Sequence, residues 1–172
     1  MNDDERVAHI RDEAARILES ATYASETQFE YAKRWRSVDR WVGSIAAALA
    51  AVAGIGGLSK VISTEWAGTI AILSALTGAI AASIAARHTA EKATGSANLY
   101  RALQQDTRIF LQIDLDSLQT EEARKVLQAL VERLQRLNRD AVIPSSRAWQ
   151  RAKRQVEAGA QTYEADSKLA AR

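Results

Sequence analysis

The sequence predicts an all-α protein in which an integral-membrane helical hairpin lies between a long N-terminal helix and a C-terminal helical bundle. The first observation is a pair of uncharged apolar tracts, residues 42–58 and 66–86, joined by the short polar link 59–65. About 18 uncharged residues are enough for a helix to span the hydrocarbon core of a bilayer. The other two observations are a single proline, which favours long helices, and the lack of the alternating pattern typical of strands.

The 172 residues are predicted to form one domain. An N-terminal amphipathic helix is expected over residues 4–40, the first transmembrane helix over 41–62 and the second over 66–87. Cytoplasmic helices are expected over 88–159, and 160–172 are expected to be a frayed tail. The acidic N-terminus lacks the apolar segment of a cleavable signal peptide, so we expect the internal tracts to direct membrane insertion.

The N-terminal helix carries a heptad-like series of apolar or small residues, which indicates a seam that packs against another helix. The series comprises Val7, Ile10, Ala14, Ile17, Ala21, Ala24, Tyr31, Trp35, Val38 and Val42. Gln28 is the one polar position in it. The seam fits a coiled coil or a bundle with the C-terminal helices, and the two arrangements are compatible.

Three more helices are predicted after the second tract. The first continues to about residue 113, and its recurring positions are Ala93, Ala97, Tyr100, Leu103, Thr107 and Phe110. Asp116 or Ser117 is the expected cap of the second, over about 119–139, whose apolar face comprises Val126, Leu127, Leu130, Val131, Leu134 and Leu137. Pro144 breaks the chain, Ser145 or Ser146 caps the last helix, and Gly159 ends it.

Small and hydroxylated residues recur within both tracts. Membrane helices associate through close packing of small side chains and through interhelical hydrogen bonds, because lipid tails are as apolar as leucine. The candidate residues for helix packing or for lining a pore are Ser44, Ala50, Gly54, Thr69, Ser74, Thr77, Gly78, Ala82 and Ser83. Hydroxyls in membrane helices also bond their own backbone, which is the plainer interpretation of all five: Ser44, Thr69, Ser74, Thr77 and Ser83.

Basic and aromatic residues flank both tracts, as is typical of a membrane boundary. The expected interface anchors are Lys33, Arg34, Trp35, Arg36, Arg40, Trp41, Lys60, Trp66, Arg87 and His88. The outer flanks hold more Lys and Arg than the link does. The positive-inside rule therefore predicts that both termini are cytoplasmic and that the link is outside.

Motifs for enzyme chemistry are absent from the sequence. It has no cysteine, no metal-binding histidine pair, no glycine-rich phosphate loop and no nucleophile elbow. We therefore expect a non-enzyme without a cofactor or bound metal. The isoelectric point near 9.0 does not indicate nucleic-acid binding, because acidic residues are interleaved with the basic ones. A solvated helix face attracted to anionic lipid headgroups explains this pattern more simply. A soluble Ala-rich helical scaffold is the alternative to a membrane protein.

Five segments of the chain resemble the SLATT family, whose members are two-transmembrane effector domains of nucleotide-signalling prokaryotic conflict systems. ARILESATYASETQFEYAKRW precedes the first tract, LAAVAGIGGL lies within it, and WAGTIAILSALTGAIAASI forms the second. RHTAEKATGSANLYRALQQDTRIFLQIDL follows, with family-like residues at Asn98, Tyr100, Leu103, Arg108 and Asp114. LVERLQRLNRDAVIPSSRAWQRAKRQVEAG completes the match.

The resemblance implies a homo-oligomeric effector that forms a pore in the inner membrane of a prokaryote or disrupts it. The trigger would be a nucleotide signal or a partner, and the outcome cell death or dormancy in antiphage defence. Because the sequence carries no sensor domain, the resemblance implies that a separate protein or ligand supplies the trigger. A constitutive small ion channel or a stress-sensing membrane protein is the alternative within the membrane class.

Overall fold

The regular elements are all helices in the part of the chain that the computed structural model describes, residues 2–59, 73, 77–78 and 86–159. They are α1 (Asp3–Ser59), α2 (Ala86–Ile109), a π-helical turn (Phe110–Asp114), α3 (Thr120–Asp140) and α4 (Ser146–Glu157). The prediction of an all-α protein is confirmed for these residues. The predicted second transmembrane helix falls almost wholly outside them.

The chain divides into two compact units. The first unit comprises residues 1–31 and 92–172, and the second comprises residues 32–91. The helix predicted over 4–40 and the whole first tract, 42–58, form one element, α1, of 57 residues. Three acidic residues in its first turn, Asp3, Asp4 and Glu5, favour that end through the helix dipole.

The core of the first unit forms where α1, α2, the π-helical turn and α3 meet. The buried members of this cluster are Ile10, Ala14, Ile17, Ala21, Leu103, Phe110, Leu115, Ala123 and Leu130. Partly buried apolar residues packed against it include Val7, Leu127, Val131, Leu134 and Leu137. The part of the α1 seam from Val7 to Ala21 therefore packs into a bundle with the C-terminal helices, which is one of the two predicted arrangements.

The recurring positions of α2 and the turn after it all face the interior, as the periodicity predicts. Each of the six is at most 2% exposed: Ala93, Ala97, Tyr100, Leu103, Thr107 and Phe110. Thr107 is accommodated because its hydroxyl donates to the carbonyl of Leu103 at 2.7 Å. On α3 the predicted apolar face is correct except at Val126, which is exposed at the edge of that face.

A π-helical turn replaces the plain helix end predicted near residue 113. The amide of Leu115 donates to the carbonyl of Phe110 at 2.9 Å, a five-residue bond that turns both side chains into the core. Asp116 instead pairs with Arg11 of α1 at 2.6 Å. The predicted cap at Asp116 or Ser117 is wrong, because α3 begins only after Gln119, which makes no side-chain cap bond.

The start and the end of α4 agree with the sequence. The Ser145 hydroxyl accepts the amide of Ala148, which satisfies one of the free donors of the first turn. Gly159 follows the helix with a φ of 81°, a left-handed conformation that glycine adopts without steric cost. Ala148 and Ala152 are the buried residues of this helix.

Within the described ranges, no helix meets the combination of length and hydropathy that a membrane crossing requires. Residues 60–72, 74–76 and 79–85 lie outside those ranges.

Two leucines of α2 make a matched test of this core. Leu103 is fully buried, whereas Leu99, four residues earlier, is 51% exposed. Leu103→Ala should lower the free energy of unfolding by about 2–5 kcal/mol, because it removes buried methyl groups and leaves a cavity. Leu99→Ala should change it by less than about 0.5 kcal/mol. Urea unfolding followed by circular dichroism measures both, and equal losses would contradict the assigned core.

Candidate functional site

The predicted interface anchors form the boundary collar, which we define as Lys33, Arg34, Trp35, Arg36, Arg40 and Trp41 on α1 with Arg87 and His88 on α2. All of its cationic side chains are exposed, Trp35 is half-buried, and Trp41 is 69% exposed. The other two predicted anchors, Lys60 and Trp66, lie outside the described residues. An exposed indole beside exposed cations is the composition of a membrane–water boundary.

An ion pair in the second unit joins the two ends of the apolar region. Nη2 of Arg87 lies 3.8 Å from Oδ2 of Asp39. Because both side chains are largely exposed, the pair contributes at most about 1 kcal/mol to stability. The pair does, however, constrain the topology. Because residues 39 and 87 lie close together, the chain between them begins and ends at the same place.

Two of the predicted packing or pore-lining hydroxyls bond within their own helix. The Ser44 hydroxyl donates to the carbonyl of Arg40 at 2.9 Å, and that of Thr77 donates to the carbonyl of Leu73 at 2.7 Å. Gly78 is half-buried, and among the described residues a Cβ added there would meet no atom within 4 Å beyond its chain neighbours and its own helix backbone. Ala50 and Gly54 lie on α1, whereas Thr69, Ser74, Ala82 and Ser83 lie outside the described residues.

A second feature of α1 escaped the sequence analysis: a run of buried polar residues in the first unit. We call it the polar belt, and it comprises Ser25, Glu26, Thr27, Gln28 and Glu30, each at most 8% exposed. Its partners come from several elements, because buried polar groups require hydrogen bonds. The Ser25 hydroxyl donates to the carbonyl of Ala97 on α2 at 3.2 Å. Glu30 accepts from Gln155 on α4 at 3.3 Å.

Glu26 of the polar belt pairs with α2. Its Oε1 lies 3.6 Å from Nη2 of Arg101, and the guanidinium of Arg101 also lies 5.0 Å from the centre of the Phe29 ring. Arginine suits this place because its planar cation pairs with a carboxylate and packs on an aromatic face together. The pairing fixes the side of α1 that faces α2.

Gln28 is the one belt residue with an unmet hydrogen-bonding group. Its Nε2 donates to the carbonyl of Val142 at 2.7 Å and so ties α1 to the connection between α3 and α4. Its Oε1 is buried and has no partner among the described residues. A buried acceptor without a donor costs about 1–3 kcal/mol. The polar break predicted in the seam is therefore a buried amide with an unused acceptor.

A cleft of about 440 Å³ opens beside Gln28, and we call it the amide cleft. It is lined by Ser20, Tyr23, Ala24, Thr27, Gln28, Tyr100, Asn138, Ala141, Val142, Ile143, Pro144 and Trp149. None of these side chains carries a formal charge. The Tyr100 hydroxyl donates to Oδ1 of Asn138 at 2.7 Å, and burial raises the pKa of Tyr100 above its usual value of 10.0. The phenol therefore stays protonated as a donor throughout the neutral range.

A neighbouring cavity of about 380 Å³ shares three residues with the amide cleft. It is lined by Glu19, Ser20, Tyr23, Trp149 and Lys153. Nζ of Lys153 lies 5.5 Å from the centre of the Trp149 ring and 3.7 Å from a carboxylate oxygen of Glu157. Charged groups thus lie at this outer side, whereas the amide cleft is lined by aromatic, aliphatic and neutral polar groups.

The lining of the amide cleft has no His, Cys, Lys or carboxylate, and its polar groups are the hydroxyls of Ser20, Tyr23, Thr27 and Tyr100 and the amides of Gln28 and Asn138. No group of three metal-ligating side chains occurs within the described ranges. Sequence reasoning missed the cleft because its walls come from four separate segments. The one feature of the sequence that points to the cleft is Gln28, a polar residue in an otherwise apolar seam.

Comparison of the chain with models of known protein families, with curated proteins and with solved structures yields no match.

Two substitutions at Gln28 test the buried amide. Gln28→Glu replaces the donor to Val142 with an acceptor and buries a charge, so it should cost more than about 3 kcal/mol of stability at pH 7. Gln28→Leu removes the unmet acceptor but leaves the Val142 carbonyl without its donor, so it should cost about 1–3 kcal/mol, less than Gln28→Glu. Urea unfolding at pH 7 compares the two variants.

The loss in Gln28→Glu should depend on pH. Burial raises the folded-state pKa of the introduced carboxyl above its unfolded value of about 4.3. The destabilisation should therefore be smallest below pH 4.3 and grow as pH rises through the folded-state pKa. Equal stability of both variants at pH 7 would show that the side chain at position 28 is solvated.

Proposed function

We propose that this chain is a membrane effector whose apolar hairpin inserts into the inner membrane of a prokaryote and assembles into homo-oligomers. On a nucleotide signal or contact with a separate sensor protein, the assembly forms a pore or disrupts the bilayer, causing cell death or dormancy in antiphage defence. The observation that best supports a hairpin is the Asp39–Arg87 ion pair, which brings together the two ends of the apolar region. The biological role comes from the resemblance to SLATT effectors.

Three exposed apolar side chains of the second unit suit contact with lipid. Trp41, Ile45 and Leu73 are 69%, 51% and 52% exposed, respectively. Burial in lipid would remove this apolar surface from water, at about 25 cal/mol per Å². The internal hydroxyl bonds of Ser44 and Thr77 support the same proposal, because polar groups in a bilayer must find partners within the protein.

The distribution of charge supports one orientation for the proposed insertion. The collar has five Lys and Arg side chains on the two outer flanks, Lys33, Arg34, Arg36, Arg40 and Arg87, and the link contributes Lys60 alone. Cytoplasmic flanks carry the excess of Lys and Arg in membrane proteins. Both termini would then be cytoplasmic, where a soluble signal or partner can reach the first unit.

The energies of the membrane potential and of helix packing allow such an effector to work without an enzymatic step. One charge that crosses a membrane potential of 100 mV releases about 2.3 kcal/mol, so an open pore dissipates stored energy by itself. A difference of a few kcal/mol between two packings suffices to keep the pore closed until a trigger favours the open state. α1 is a single helix from Asp3 to Ser59, so it contains both polar-belt residues and collar residues.

Matched lysine substitutions test this function during induced expression with a potential-sensitive dye and the trigger present. The parent chain should depolarise the cells and stop growth. Ala75→Lys places a charge in the second tract at a cost of about 2.5–3.5 kcal/mol for insertion, so it should abolish both effects. Ala129→Lys lies on the exposed face of α3 and should leave them unchanged.

Three other outcomes would contradict the proposal in different ways. A steady conductance without toxicity would favour a constitutive channel or a stress-sensing membrane protein. Recovery of the chain in the aqueous phase without detergent would favour a helical scaffold. Equal depolarisation by the parent and by Ala75→Lys would show that the second tract does not act in the bilayer.

A further inference from the structure

We propose that the amide cleft binds a small, uncharged aromatic or heteroaromatic molecule that presents an N–H donor to Oε1 of Gln28. This inference stands on the first unit alone and is independent of the proposed membrane function. The cleft lies between α1, α2, α4 and the connection that follows α3, so its ligand would contact most of that unit's elements.

Volume and lining set the size and polarity of the ligand. A cleft of about 440 Å³ lies within the range of about 300–1,000 Å³ typical of small-molecule sites. Tyr23, Tyr100 and Trp149 supply aromatic surface, and Val142, Ile143 and Pro144 supply aliphatic surface. Aromatic side chains favour offset or edge-to-face contact with another ring. A planar molecule of one or two rings fits these walls.

The charge of the lining excludes a strongly charged ligand from the cleft itself. None of its twelve residues is Asp, Glu, Lys, Arg or His. A carboxylate or phosphate buried there would lose hydration without gaining a counter-ion. The neighbouring charges, Glu19 and Lys153, line the outer cavity, and Lys153 is within 4 Å of Glu157. A neutral molecule is therefore favoured over an anion.

The unmet acceptor of Gln28 sets the hydrogen-bonding character of the ligand. The bond from Nε2 to Val142 fixes the orientation of the amide, so Oε1 remains as the acceptor. Gln28 is 3% exposed, and Oε1 itself exposes less than 1 Å². A ligand's donor can therefore bond to Oε1 only if the connection at residues 141–144 shifts, and Ile143 in that connection is 88% exposed.

Three molecules of nearly the same shape serve as probes: benzamide has an amide N–H donor, acetophenone lacks the donor, and benzoate is an anion. The full chain labelled at its tryptophan indoles reports binding by NMR, and Trp149→Phe identifies the Trp149 signal. Benzamide should shift that signal saturably, with a dissociation constant of about 1 mM, as expected for a ligand of nine heavy atoms. The other three indole signals should not move.

The decisive measurement is the comparison of binding affinity between the three probes. Acetophenone should bind about tenfold more weakly than benzamide, because it leaves Oε1 unpaired, and benzoate should not saturate. Gln28→Leu should remove the preference for benzamide. The matched control Gln128→Leu, at an exposed position of α3, should retain it.

Two results would overturn the proposal. One is the absence of a saturable shift at Trp149, which would leave the unmet acceptor to a buried water. The other is equal binding of benzamide and acetophenone to the parent chain, a comparison that holds even if Gln28→Leu does not fold. Neither result bears on the membrane function, which the lysine variants test separately.

Discussion

The first unit depends on the close approach of α1 and α2 at Ser25 and Ala97, where both small residues are fully buried. Ala14 and Ala21 on α1 and Ala93 and Ala97 on α2 are all fully buried. A side-chain hydroxyl on α1 can therefore reach a backbone carbonyl on α2, as the bond from Ser25 to Ala97 at 3.2 Å shows. Small residues allow helix axes to approach closely, and dispersion and hydrogen bonds then add to apolar burial.

This packing also explains why polar residues are buried on α1. From Ser25 to Glu30, neighbours surround α1 on several sides: α2 through Ala97 and Arg101, the connection after α3 through Val142, and α4 through Gln155. The Thr27 hydroxyl bonds within α1, to the carbonyl of Tyr23, and the other residues of the polar belt bond to neighbouring elements. Oε1 of Gln28 has no partner among the described residues. The amide cleft is located where this enclosure is incomplete.

Much of the first unit follows from sequence periodicity. The six buried positions of α2 and its π-helical turn, the cap at Ser145 and the end at Gly159 obey local rules of helix geometry and capping. The π-helical turn, the pairing of Asp116 with Arg11 in place of the predicted cap, and the exposure of Val126 depend on tertiary packing, which local spacing does not encode. The same reason applies to the cleft, because Gln28, Tyr100 and Trp149 are far apart in sequence and meet only in the fold.

The membrane function proposed for the second unit requires a hairpin that enters the bilayer from the side of the boundary collar. The lack of cysteine makes this topology measurable with single cysteines. A membrane-impermeant maleimide should label Ser63→Cys, in the link, on intact spheroplasts. Ser117→Cys, at an exposed position of the first unit, should stay unlabelled until the membrane is opened. Equal labelling at both positions, or protection of both, would contradict the hairpin.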